Sequence, residues 1–181
     1  MVTELLSVDK DLIRVKGREG FIVLHFVALQ GNVDLLSRFL DLCPECVFDL
    51  STRKQTALHI AAEYNSFEAF EAMVEWIQRK LVNTKRVLKS KILNSQDKDG
   101  NTALHLAAAN NQQQMIKLLM SCKETDKNKS NEGGLTASDV LQRQTEDDDN
   151  EMLGILKSHP GISQRNKSWF DTQWCRITSE R

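Results

Sequence analysis

The chain has 181 residues, 40% hydrophobic and 27% charged, with a formal net charge of −1. That balance is globular rather than disordered, and it leaves no global field to recruit nucleic acid or an acidic membrane. No stretch approaches the roughly 18 apolar residues of a membrane span, and residues 1–10 have no apolar run behind a basic start, so no signal peptide is read there.

Taken in chain order, residues 5–15 read as the end of a helical unit whose beginning is lost. Three similar stretches follow: Ile-Val-Leu-His-Phe-Val-Ala at 22–28, Thr-Ala-Leu-His-Ile-Ala-Ala at 56–62 and Thr-Ala-Leu-His-Leu-Ala-Ala at 102–108. A weaker fourth begins at Thr136-Ala137-Ser138-Asp139, so the histidine place recurs at intervals of 34, 46 and 34. Thr56 and Thr102 fit helix N-caps, and Ile22 removes the hydroxyl from the first unit. His25, His59 and His105 stand three residues on, where a capping box places its reaching side chain. Small alanines come next and let a second helix pack close. Six residues past each histidine stand Gly31, Asn65 and Asn111, types that tolerate a left-handed helix end. A second set of apolar residues at helical spacing follows each time, from Val33, Phe67 and Met115. Each unit is therefore a helix, a tight turn, an antiparallel helix and a loop, and only stacked pairs bury a continuous core.

The second unit is longer than its neighbours, with the extra length between Trp76 and Asn94. Residues 79–91 hold Arg79, Lys80, Lys85, Arg86, Lys89 and Lys91 and no acid, while Ile77, Leu81, Leu88 and Ile92 recur at helical steps. This predicts an extended amphipathic helix, broken near Asn83-Thr84. Its basic side is either a docking surface for an acidic partner or anionic lipid, or simply a solvated helix face. The acidic run at 146–149 with Glu151 lacks the spacing of a calcium loop, and Asp149 or Asn150 is expected to cap a last helix holding Met152, Leu153, Ile155 and Leu156. Beyond Pro160 the pattern stops. Trp169, Phe170 and Trp174 in residues 158–181 could dock on the last unit or form a peptide motif.

Chemistry-bearing groups give no active site. The histidines share one phase of the repeat, so a regular stack spaces them apart and they cannot converge on a metal; structural imidazoles are expected. Cys43-Pro44-Glu45-Cys46 has the spacing of a redox motif but follows a second helix rather than a strand, and Cys122 and Cys175 offer no second zinc pair. Reduced thiols are expected. No cofactor and no small-molecule substrate are predicted.

The repeat motif and its period resemble the ankyrin repeat, over residues 1–157. The implied fold is an all-α solenoid of stacked antiparallel helix pairs joined by β-turn or hairpin loops. It divides into a partial repeat at 1–19, repeats at about 20–53, 54–99 with the insert, 100–133 and 134–157, and a tail at 158–181. The sequence departs from the family in lacking proline after threonine and in placing Lys54 where the turn glycine stands, while Gly20, Gly100 and Gly134 keep it. The segments 15–20, 42–45 and 94–102 resemble, more narrowly, plant ankyrin-repeat membrane proteins. Those carry further repeats and a C-terminal Pro-Gly-Gly membrane module absent from these 181 residues. The resemblance implies a non-enzymatic interaction scaffold in plant signalling, such as defence or stress. It implies a partner protein on a concave face built from Arg18, Glu19, Phe21 and Gln30, then Thr52, Arg53, Gln55, Glu63 and Tyr64, then Lys98, Asp99, Asn101 and Asn110. The alternatives are a peripheral membrane-binding module using the insert and a Cys-x-x-Cys oxidoreductase. The expected location is cytoplasmic, or membrane-anchored for a longer form.

Overall fold

A computed structural model describes residues 10–80, 86–144 and 154–156. Among these residues there is no strand. The helices are α1 (Val23–Gln30), α2 (Val33–Leu42), α3 (Ala57–Glu63), α4 (Phe67–Lys80), α5 (Arg86–Leu93), α6 (Ala103–Ala109), α7 (Gln113–Ser121) and α8 (Ala137–Gln144). Short 3-10 turns cover Lys10–Arg14, Arg18–Gly20 and Pro44–Phe48.

Two rows of helices result. The first helices of the units, α1, α3, α6 and α8, pack on one another in chain order, and the second helices α2, α4 and α7 form a parallel row behind them. Composition explains the spacing. Ala57, Ala61 and Ala62 are buried on α3 and Ala103, Ala107 and Ala108 on α6, so neighbouring backbones approach closely. The second row carries the bulk, with Phe39 on α2, Phe70, Met73 and Ile77 on α4, and Met115, Ile116 and Leu119 on α7, all buried. The turns between the rows are left-handed at Gly31 (φ 70°), Asn65 (φ 55°) and Asn111 (φ 50°), the three positions expected from the sequence.

The loops between units are fingers of one repeating design. Ser51, Asp97 and Asn131 each bond the backbone across their own turn: Ser51 N–H to Gln55 O at 3.0 Å, Asp97 N–H to Asn101 O at 2.9 Å and Asn131 N–H to Leu135 O at 2.9 Å. Adjacent fingers are stitched by Thr52 N–H to Glu19 O, Lys98 N–H to Arg53 O and Glu132 N–H to Asp99 O, at 2.9 to 3.1 Å. Lys54 occupies the turn-glycine place with φ 57°. A Cβ in this region costs about 1 kcal/mol, so Lys54→Gly is expected to raise stability by up to about 1 kcal/mol. An unchanged urea midpoint would show that its side chain compensates.

The insert is two helices. α4 runs 14 residues, against 10 for α2 and 9 for α7. It ends at Lys80, and α5 begins at Arg86, with Ile92 and Leu93 buried. The break expected at Asn83-Thr84 lies outside the described residues. So do the acidic run, its cap at Asp149 or Asn150, and the tail aromatics. Residues 154–156 are helical with Leu156 buried.

Candidate interaction surface

The three histidines form a ladder across the units. In α3, the Thr56 N–H donates to His59 Nδ1 at 3.2 Å, and the Thr56 hydroxyl lies 2.8 Å from the same nitrogen. Nδ1 therefore accepts, which leaves the proton on Nε2. Nε2 donates to Asn101 O of the next finger at 3.1 Å. His105 repeats this with Thr102 and with Leu135 O at 3.0 Å. His25 bonds the Ile22 N–H at 3.2 Å and Gln55 O at 3.1 Å. The first unit has thus lost only the hydroxyl half of the arrangement. Burial pushes His59 and His105 down to about 4 and lowers His25, because a charged ring there would forfeit its hydration. In α8, Asp139 stands in the histidine place and its carboxylate takes the Thr136 N–H at 2.8 Å and hydroxyl at 2.7 Å.

The ladder spends the buried polar groups on structure. Among the described residues no three His, Cys, Asp or Glu side chains are placed to hold a metal. Cys43 and Cys46 correct an expectation: they form a disulfide and are not reduced thiols. The 3-10 turn at Pro44–Phe48 brings their Cα atoms to 5.6 Å, within bridging range. Both are buried, at 5% and 1% exposure, which keeps an attacking thiolate from the sulfurs.

The thirteen residues expected on the partner face separate into two groups. Arg18, Glu19, Gln30, Thr52, Arg53, Tyr64, Lys98 and Asn110 are exposed, at finger tips and the ends of first-row helices. Glu63 and Asp99 are half-buried, and Phe21, Gln55 and Asn101 are buried. Gln55 Nε2 donates to Glu63 at 2.7 Å, and Arg53 lies 3.8 Å from the same carboxylate. The Asn101 side chain accepts from Asn131 Nδ2 at 2.9 Å. Phe21 stacks on His25 with ring centres 5.2 Å apart. Sequence reasoning missed Phe26, which meets Phe21 edge-on at 5.4 Å and remains 45% exposed. Its place, one residue after the motif histidine, is the only available signal, and Ile60 and Leu106 hold the same place buried.

The cations of the insert have separate fates. Arg79 lies 3.7 Å from Glu75, Lys80 is 3.2 Å from Asp41, and Lys89 donates to the Gln78 backbone and side chain. Arg86 and Lys91 are exposed, and Lys85 lies outside the described residues. No helix among the described residues is long and apolar enough to cross a membrane.

Comparison with known proteins agrees with this architecture. The family profile described as "Ankyrin repeats (3 copies)" matches residues 1–86 and 77–131. The chain is 37% identical over 97 residues to "Ankyrin repeat-containing protein BDA1" of Arabidopsis thaliana, covering 54% of this chain and 22% of that protein. It is 33% identical over 97 residues to "Protein ACCELERATED CELL DEATH 6" of the same plant, covering 52% of this chain and 14% of that one. The chain therefore spans less than a quarter of either relative's length. The phased motif, the two helical rows, the imidazole ladder and these matches together place the chain in the ankyrin-repeat family, whose repeats mediate protein–protein interaction.

Proposed function

We propose that the chain is a non-enzymatic scaffold for plant signalling of the defence or stress kind, holding a partner protein across its finger tips and first-row helices. The observation that carries this reading is the contrast between a framework whose buried histidines are each bonded to the next finger and an exposed set containing Arg53, Tyr64 and Phe26. Arg and aromatic side chains on rigid backbone are the residue types that anchor interfaces. Small first-row and bulky second-row side chains favour a stack that curves toward the first row, which would gather these groups on one concave face. The name of one relative, which refers to cell death, and the plant source of both support the signalling setting. A bilayer-binding role for the insert has less support, because three of its six cations are engaged within the chain.

The test is affinity capture from plant extract with wild-type chain and with Arg53→Ala plus Tyr64→Ala. Proteins retained by the wild type should fall at least about ten-fold in the double variant, the loss expected for two anchors. Melting should change little, because the Arg53 side chain is held by a long, exposed ion pair and its backbone bonds survive the substitution. Equal retention by both chains would move the interface elsewhere.

A further inference from the structure

The insert creates a groove of about 770 Å³ that shares no residue with the partner face described above. Leu50 and Val87 contribute apolar wall, Arg86, Lys91 and Lys129 contribute cations, and Asp126 contributes a carboxylate. Val87 is 81% exposed and Leu50 37%, so apolar surface faces solvent in the groove.

Fixed backbone supports these groups. Asn94, buried at the C-terminal end of α5, donates from Nδ2 to Glu124 O at 2.7 Å and accepts the Asp126 N–H at 2.7 Å. Lys129 Nζ donates to Asn94 O at 2.8 Å. The loop at 124–129 is thereby held against the end of α5. Arg86 and Lys91 have no ion-pair partner among the described residues, in contrast to Arg79 and Lys80 at the end of α4. Three cations against one carboxylate, beside exposed apolar wall, leave the groove basic and apolar together.

We propose that this groove is a second docking site, which takes an acidic peptide segment of a partner protein carrying an apolar side chain. Charge complementarity selects the acidic residues, and the wall formed by Leu50 and Val87 selects the apolar one. Leu50, α5 and residues 126–129 line a concave groove, a shape that a peptide side chain fills better than a flat bilayer does. The site is independent of the partner face, so either can fail alone.

The probe is a short fluorescent peptide alternating Glu-Asp pairs with leucine, followed by anisotropy. Controls are the same peptide with serine for leucine, and vesicles of phosphatidylserine with phosphatidylcholine. The leucine peptide should bind the wild-type chain and the serine peptide clearly less. Arg86→Glu with Lys91→Glu should weaken binding about ten-fold or more, and Val87→Asp should weaken it too, all with wild-type helical content. Asp126→Asn should tighten binding about two-fold, since it removes the opposing charge and keeps the oxygen that accepts the Asn128 N–H. Arg53→Ala with Tyr64→Ala should leave peptide binding intact, which separates this site from the partner face. Equal binding of both peptides, unchanged binding in the charge-reversed chain, or vesicle binding without peptide binding would each overturn the proposal.

Discussion

Lowering the pH from 6.5 to 4 is expected to remove about 4 kcal/mol of stability, a large share of the roughly 5–15 kcal/mol that holds an ordinary domain folded. His59 and His105 have folded-state values near 4 against 6.5 when free. Between those values the unfolded chain binds two protons that the folded chain refuses, so stability falls as pH falls through that window. Each ring accounts for about 3 kcal/mol. Asp97 works in the opposite direction. Burial raises its carboxyl to about 6 from 3.8, although it accepts the Asp99 N–H at 3.0 Å and the Asn101 N–H at 2.8 Å. The folded chain therefore takes up a proton there between pH 6 and 3.8, which returns about 1–2 kcal/mol after allowance for nearby water. Asn131 holds the equivalent finger place and accepts the Leu135 N–H at 3.0 Å without a charge. Asp97→Asn should then raise stability at pH 7 by about 1–2 kcal/mol and steepen the acid loss. Thermal melts at pH 7, 5 and 4 decide the matter; a flat profile would show that the rings already carry charge in the fold.

What the sequence made legible was local. Thr56 and His59 stand three residues apart, and helix geometry alone brings such neighbours together. The left-handed ends at Gly31, Asn65 and Asn111 follow from residue type and phase in the same way. The other end of each imidazole was not legible. His59 reaches Asn101, 42 residues on and past an insert whose path no local pattern fixes. The same reason explains Asn101 and Gln55, which look like surface amides in sequence. Asn131 meets Asn101 from the next finger across the stack, and Gln55 meets Glu63 at the far end of its own unit's first helix. The disulfide was half-visible: the spacing of Cys43 and Cys46 was plain, but only the 3-10 turn brings their Cα atoms within reach. The groove was hidden because its wall joins Leu50, α5 and residues 126–129. Periodicity finds elements, and it does not find the spaces between distant ones.

Gly100→Ala should cost about 3 kcal/mol or more, whereas Gly31→Ala should cost only about 1 kcal/mol. Both glycines are left-handed, with φ 75° and 70°, so backbone strain alone predicts similar losses. Their surroundings differ. A Cβ on Gly31 would find its nearest atoms, in Ser66, at 3.9 Å, which is ordinary contact. A Cβ on Gly100 would sit 2.5 Å from the Glu132 backbone nitrogen and 3.1 Å from backbone atoms of Asn131. Backbone cannot rotate away as a side chain can, so one finger must move off the next. That movement breaks the Glu132 N–H to Asp99 O bond, and it pulls on Asn131, whose side chain holds Asn101. Asn101 O is also the acceptor for His59, so the displacement reaches the imidazole ladder. Lys54 shows that the left-handed conformation by itself is tolerated in a finger. The excess at Gly100 is therefore the cost of separating two stacked fingers, made of about 1 kcal/mol for the lost bond and the rest for lost packing. Urea unfolding of the two alanine variants, side by side, isolates that excess. Equal midpoints would mean that the fingers slide without loss, and that the helical rows alone hold the third and fourth units together.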